Sequence, residues 1–274
     1  VSRFLDDMAR SSAERVREAQ RLEPLAELER RAHEAPRGPR LCLSPRGFDV
    51  IAELKLRSPA AGVLEDETDD WVGRVTAYAR GGAAAVSVLT EPSRFDGSLE
   101  HLRRAATVLA PLGVPAMRKD FLVDPYQVLE ARAAGAGGVL VILRMLPAGR
   151  INALLDAAAE LGLFVLLEAF DAADLELARE LLLGRRPEHL ILVGINCRDL
   201  QTLQVVPERF SLLSPLLPDA WDCVAESGVA TPADARGVRE LGYRVALIGT
   251  ALMGTDDPAA LLTAIVQAAR TVQP

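Results

Sequence analysis

Val50-Ile-Ala-Glu-Leu-Lys-Leu56 reads as a buried strand that becomes charged toward its end. A short apolar run with β-branched residues suits a strand covered on both faces. Glu53 and Lys55 stand two apart and so share one face, with Ile51 below them. Charge on such a strand is costly unless it is paired or opens onto a cleft.

Seven more runs of this kind follow: Ala84–Thr90, Val114–Asp120, Gly138–Leu143, Phe164–Ala169, Leu190–Asn196, Asp222–Ser227 and Val245–Gly249. Their starts are 23 to 34 residues apart, the length that strand, loop, helix and loop require. Helical stretches rich in Ala, Leu, Glu and Arg fill the intervals. Asp124-Pro125 and Thr231-Pro232 each supply a cap followed by a proline that needs no hydrogen bond at the first turn. Gly135, Gly162 and Gly242 fall where helices should end. Eight evenly spaced units without a linker predict a single (β/α)8 TIM barrel over residues 41–274. An open doubly wound sheet would carry a glycine fingerprint after its first strand, and Ser44 to Gly62 holds none. Upstream, Ser2 to about Ala35 is helical, with Phe4, Leu5 and Met8 on one face, and Pro36 to Arg40 ends the pattern. This predicts an extra N-terminal helical segment, residues 1–40, packed on the barrel.

The 274 residues are 50% hydrophobic and 25% charged, a globular balance, and aromatics at 4% leave the core to Ala, Val, Leu and Ile. A net charge of -7 argues against binding nucleic-acid backbones, which wants a broad basic surface. Apolar stretches such as Gly137 to Leu143 fall far short of the roughly 20 residues of a membrane span. The acidic first residues look unlike a secretory signal. Cys42, Cys197 and Cys223 form no metal-ligand spacing, and an odd number of cysteines fits a reducing compartment, so the cytoplasm is expected.

Ionisable and polar groups gather at the downstream strand ends, where a barrel keeps its site. Lys119 ends the third strand on the face of Met117, Glu168 the fifth, Asn196 the sixth, and Glu226-Ser227 the seventh. Each has a plainer reading. Glu53 with Lys55 can be an internal salt bridge, Lys119 can pair outside the barrel with Arg118 and Asp120 if the register slips by one, and Asn196 can cap a loop. Five coincidences at one end are harder to explain as packing. Ser227 and Gly249-Thr250, after the last two strands, suit phosphate, as does Ser58 after the first. Arg198 either reaches the mouth or anchors its loop through Asp199. His33, His101 and His189 have no metal-ligand spacing, and Cys197 and Cys223 have no histidine partner, so neither a metal nor a cofactor is expected.

Ile51-Ala-Glu-Leu-Lys-Leu-Arg-Ser-Pro59, Ser87-Val-Leu-Thr-Glu-Pro-Ser-Arg-Phe-Asp-Gly-Ser98, Arg118-Lys-Asp-Phe-Leu-Val-Asp-Pro-Tyr-Gln-Val128, Gly194-Ile-Asn-Cys-Arg-Asp-Leu-Gln-Thr-Leu203 and Val224-Ala-Glu-Ser-Gly-Val229 together resemble the signature segments of the indole-3-glycerol phosphate synthase family, in family order. The resemblance implies a phosphorylated small-molecule substrate, 1-(2-carboxyphenylamino)-1-deoxyribulose 5-phosphate, and the products indole-3-glycerol phosphate, carbon dioxide and water, in tryptophan biosynthesis. It implies catalytic roles for Glu53, Lys55, Lys119, Glu168, Asn196, Glu226 and Ser227. Lys119 would be the general acid and Glu168 the base, with Glu53 and Glu226 positioning the lysines and sugar hydroxyls. Ser58, Gly228, Gly249 and Thr250 would meet phosphate, Phe95 and Phe121 would line the aromatic end, and the helix around Phe4 to Met8 would cover the mouth. Two departures stand out: Ala60 where members often have serine, and Cys197 where they often have asparagine, the latter directed away from the site by strand alternation. A monomer or weak homodimer is expected. The rivals are another phosphate-binding barrel enzyme such as phosphoribosylanthranilate isomerase, a Schiff-base aldolase using Lys119, and a non-catalytic barrel.

Overall fold

The computed structural model describes residues 3–45, 47–58, 62–63, 70–186 and 190–272. Its strands are β1 (Asp49–Leu54), β2 (Arg57–Ser58), β3 (Gly62–Val63), β4 (Ala85–Leu89), β5 (Ala116–Lys119), β6 (Gly138–Ile142), β7 (Phe164–Ala169), β8 (Ile191–Asn196), β9 (Cys223–Glu226) and β10 (Val245–Ile248). Eight of them close into a parallel barrel in the order β1-β10-β9-β8-β7-β6-β5-β4, with β4 paired back to β1. These eight are the predicted strands, their ends shifted by at most two residues. β2 and β3 form a separate antiparallel hairpin in the loop after β1. Strands of two residues are too short for periodicity to announce them.

Strand alternation sorts the apolar residues into two layers. Ile51, Ala85, Met117, Leu140, Phe164, Leu166, Leu192, Val224, Val245 and Leu247 fill the barrel. Val50, Ala52, Val86, Val139, Val165, Val193 and Ala246 face outward into the helices. Burying a side chain of this kind contributes about 1.5–3 kcal/mol, which makes a one-residue slip of any strand prohibitive.

The helices are α1 (Arg3–Leu22), α2 (Leu25–Glu34), α3 (Trp71–Arg80), α4 (Pro92–Phe95), α5 (Leu99–Leu109), α6 (Pro125–Ala133), α7 (Ala148–Leu161), α8 (Ala172–Leu182), α9 (Glu208–Leu213), α10 (Pro232–Glu240), α11 (Thr250–Met253) and α12 (Pro258–Arg270). Their starts are chemically marked. Asp124 and Thr231 form capping boxes with Gln127 and Asp234 on α6 and α10, and Asp171 and Asp257 cap α8 and α12. Gly135, Gly162 and Gly242 take positive φ just after α6, α7 and α10, a conformation that costs glycine little.

The continuous helix expected from Ser2 to Ala35 is instead two helices. Pro24 has φ -59 and ψ 148 and starts α2, and proline disfavours helical geometry at the residue before it. α1 lays Leu5 and Met8 against the residues of the barrel mouth and Val16 against the outer layer. α2 buries Leu28 and Ala32. Two hydrogen bonds fasten the pair to α6: Tyr126 Oη donates to the Glu23 carbonyl at 2.8 Å, and Gln127 Nε2 donates to Ser12 Oγ at 2.9 Å.

Candidate active site

A cavity of about 580 Å³ opens where the barrel strands end. Glu53, Lys55, Lys119, Glu168, Asn196 and Ser227 line it, together with Phe95, Phe121, Arg198, Gly228, Gly249 and Thr250. The side chain of Ser58, Ala60 and His189 lie outside the described residues.

Glu53 is the centre of the charge. Its Oε1 lies 3.1 Å from Lys55 Nζ, and its Oε2 lies 3.0 Å from Lys119 Nζ. The two lysines come from different strands and meet only because β1 and β5 flank β4. The internal salt bridge and the cleft are therefore the same object. Burial alone would raise the Glu53 carboxyl, but Lys119 and Lys55 overcome it and hold the group down at about 2. Lys119 answers in kind: burial would lower it, yet Glu53, Glu226 and Glu168 raise it above the ordinary lysine value. The ladder fits because position 249 has no side chain. A Cβ there would stand 2.5 Å from Glu53 Oε1 and 3.1 Å from Lys55 Nζ.

The neighbours of Lys119 face the other way, as the register pairing Leu89 with Lys119 requires. Arg118, outside the barrel, donates to Asp120, to Glu130 and to the Gln127 carbonyl.

Glu168 ends β7 on the inner face. Asn196 lines the cavity too, but its Oδ1 accepts the Arg198 backbone N–H at 2.9 Å, so it also caps its own loop. The anchoring of Arg198 through Asp199 is corrected: Arg198 Nη1 donates to the Leu203 carbonyl at 2.8 Å, while Asp199 accepts from Gln201 and Thr202. Arg198 thereby holds the loop and still borders the cavity. Glu226 differs from the rest. It is 0% exposed, and Lys119 Nζ lies 3.5 Å from its Oε2, so it stands beside the lysine that it was expected to position.

One end of the cavity is aromatic. Phe121 meets Phe4 edge-on with centroids 5.8 Å apart, and Phe95 lies 6.2 Å away on the other side. α1 thus supplies part of the wall through Phe4 and Leu5. Phe170, Leu89 and Ile142 also line it and were missed in the sequence. Phe170 had a signal: it stands two residues beyond Glu168 and so shares its face. At the opposite end, the turn after β9 carries Ser227 at φ 62 and Gly228 at φ 110, and Gly249 precedes α11. A turn with successive residues at positive φ, followed across the cavity wall by a glycine ahead of a helix, is a setting in which backbone N–H groups can meet an anion.

Among the described residues, no group of three or more His, Cys, Asp or Glu is arranged to hold a metal ion. No described helix is long and apolar enough to cross a membrane. Burial pushes the Cys197 and Cys223 thiols up to about 12, so neither is a nucleophile at neutral pH. Cys197 belongs to the outer layer, turned from the cavity.

The fold alone is shared with solved barrels such as 3-hexulose-6-phosphate synthase from Salmonella typhimurium, at a TM-score of 0.61 and 14% identity over 81% of this chain and 98% of that one. Sequence relatives are much nearer. An indole-3-glycerol phosphate synthase of a Nocardioides species is 46% identical over 81% of this chain and 82% of its own length. One from a Parafrankia species is 40% identical over 98% and 95%. The family model for indole-3-glycerol phosphate synthase matches residues 5–265, a span that takes in most of α1, all eight barrel strands and every residue of the charged cluster. This chain belongs to the indole-3-glycerol phosphate synthase family.

Proposed function

We propose that the chain closes an indole ring, converting 1-(2-carboxyphenylamino)-1-deoxyribulose 5-phosphate to indole-3-glycerol phosphate, carbon dioxide and water. The observation that carries this reading is the pair of ammonium groups held by one buried carboxylate, Lys55 and Lys119 at 3.1 and 3.0 Å from Glu53, on the wall of a cavity of about 580 Å³. The reaction has two steps that place charge on oxygen, and two fixed cations answer them.

In the first step the ring carbon bearing the carboxylate attacks the ketone, and negative charge grows on the ketone oxygen. Lys119 stabilises that charge and delivers a proton to it. An alkoxide is basic enough to take a proton even from an ammonium whose affinity is raised. Breaking the bond to the carboxylate then restores the aromatic ring, with Lys55 orienting the departing group. In the last step Glu168 removes a proton from the carbon beside the nitrogen, and Lys55 protonates the hydroxyl that leaves as water. Phe4, Phe95 and Phe121 receive the aromatic end. Ser227, Gly228, Gly249 and Thr250 receive the phosphate, with Arg198 and Asn196 shaping the wall between the two ends.

A Schiff-base reaction is disfavoured by the same electrostatics. It needs a neutral amine, and Lys119 is held as an ammonium by the Glu53 carboxylate 3.0 Å away. The direct test mixes purified protein with the carboxyphenylamino substrate and follows indole fluorescence. Stoichiometric product with no adduct trapped by borohydride supports the reading, and a trapped adduct without indole overturns it.

A further inference from the structure

Two lysines and three glutamates meet at the end of the barrel, so carboxyls outnumber ammonium groups in this cluster by one. Lys55 and Lys119 are matched by Glu53, Glu168 and Glu226, and all three carboxyls are buried. Glu53 takes the direct ion pairs. Glu226 is left with the poorest partners. Its two oxygens are closed to solvent, and among the described residues no N–H or O–H donates a hydrogen bond to either. A bare carboxylate in that position is strongly disfavoured.

The surroundings of Glu226 are well defined. β10 faces it with apolar residues only. β8 contributes Gly194 and Asn196 beside it, and Cys197 follows on the outer side of the barrel, its thiol held protonated by burial. From β5 comes Lys119, 3.5 Å from Oε2, with Glu53 of β1 beyond it. From β7 comes Glu168; burial first, and then the charge of Glu168, raise the Glu226 carboxyl well above the usual carboxylate range. Glu168 and Glu226 lie two strands apart, with Gly194, the partner of Glu168 in the ladder, on the strand between them. A Cβ at position 194 would stand 2.0 Å from Glu226 Oε1. The glycine leaves room for the Glu226 carboxyl to lean over β8 toward the side of Glu168.

We propose that Glu226 holds a proton in the resting enzyme, donates it in a hydrogen bond to Glu168, and relays protons from Glu168 back to Lys119. This rests on the reading of Lys119 as acid and Glu168 as base. The balance closes over one turnover. Lys119 loses a proton to the ketone oxygen and becomes an amine. Glu168 gains one as the C–H bond breaks and its electrons form the ring double bond. Glu226 then passes its own proton to the Lys119 amine and is refilled from Glu168. The cycle returns ammonium, acid and carboxylate to their starting forms. The proton that leaves with water comes from Lys55, and solvent replaces it, matching the one proton consumed when a carboxylate departs as carbon dioxide. Glu226 touches no substrate in this scheme. It is a positioning and relay residue, buried behind the two groups that act.

Infrared spectroscopy of the substrate-free enzyme at neutral pH tests the resting proton without reference to turnover. A carboxylic-acid C=O band that shifts in heavy water and vanishes in Glu226→Gln is expected. Its absence from the wild-type protein overturns the proposal, and because the wild-type spectrum decides this, a poorly folding variant does not spoil the test. Kinetics tests the relay. Glu226→Gln still donates to Glu168 but cannot pass a proton, so one product per site should form rapidly, with steady turnover slower by at least about tenfold and KM little changed. Equal slowing of the first and later turnovers overturns the relay. Loss of indole formation in the wild-type enzyme itself would instead sink the underlying reading of the reaction.

Discussion

Arg15 of α1 grips Asp120 with both terminal nitrogens, Nη1 to Oδ2 at 3.0 Å and Nη2 to Oδ1 at 2.7 Å, one residue beyond Lys119. Asp120 is 2% exposed and accepts three further hydrogen bonds, from Thr90, from Arg118 and from the Phe121 N–H. The N-terminal helix is thereby tied to the end of the strand that carries Lys119, as well as covering the aromatic end of the cavity.

Arg15→Met keeps the apolar stem and removes the fork. Arg118 and Thr90 still hold Asp120, and Arg15 is partly exposed, so the loss should be about 1–2 kcal/mol rather than the full cost of stranding a buried charge. Turnover should fall about tenfold as α1 and the Lys119 backbone loosen. Thermal melts and steady-state kinetics measure both. Unchanged values in both would show that the tether is ornamental to the site.

Lys119→Ala should lower kcat by about 10²–10⁴-fold, the range for removing a general acid. Glu53 keeps Lys55 as its partner, so circular dichroism should remain that of a folded barrel. Turnover near the wild-type value would reassign the acid role to Lys55.

Glu168→Gln keeps the shape of the wall and removes the proposed base. Substrate should still bind within a fewfold of the wild-type affinity while indole formation falls by at least about 10²-fold. Weak binding together with a lowered melting temperature would make Glu168 a structural residue.

Gly249→Ala inserts a methyl 2.5 Å from Glu53 Oε1. The obstruction is the carboxylate that holds both lysines, so a shift of Glu53 moves both ammonium groups at once. A drop in kcat of about 10²-fold is expected, the order that a misplacement of about 1 Å costs. Activity retained in the variant would mean the ladder can relax elsewhere.

Acid should attack this site in a defined window. Glu53 has its folded pKa depressed from 4.5 to about 2, and Asp120, despite its burial, is held below its ordinary 3.8 by Arg118 and Arg15. A depressed acid stabilises the fold above its unfolded pKa, and that stability is lost as pH falls through the folded value. Urea unfolding between pH 5 and about 2 should therefore show a decline, with roughly 3 kcal/mol traceable to Glu53. Glu53→Gln should flatten that part of the curve, and an unchanged slope would contradict the assignment.

Much of this was legible in the chain itself. Apolar runs at βα spacing announced eight barrel strands to within two residues, because burial on both strand faces leaves an uninterrupted hydrophobic signal. The same period of two placed Glu53, Lys55, Lys119 and Glu168 on inner faces at one end. The break at Pro24 was missed because amphipathic spacing continues on either side of it, and the β2–β3 hairpin because it is too short to have a pattern. The sequence suggests a phosphate contact for Gly249 and no role for Gly194, yet what their missing side chains admit is a carboxyl from another strand.

The order of residues along the chain determined the fold, the end of the barrel that holds the charge, and which side of each strand the charge occupies, since these follow from local periodicity and from the energy of burying apolar surface. Only the closed tertiary structure decided that Glu53 bridges two lysines and that Arg15 reaches Asp120. It alone placed Glu226 beside Lys119 and toward the side of Glu168, because ion pairs and carboxyl contacts depend on distances between strands that are far apart in sequence, and on space left by glycines that have no partner until the barrel closes.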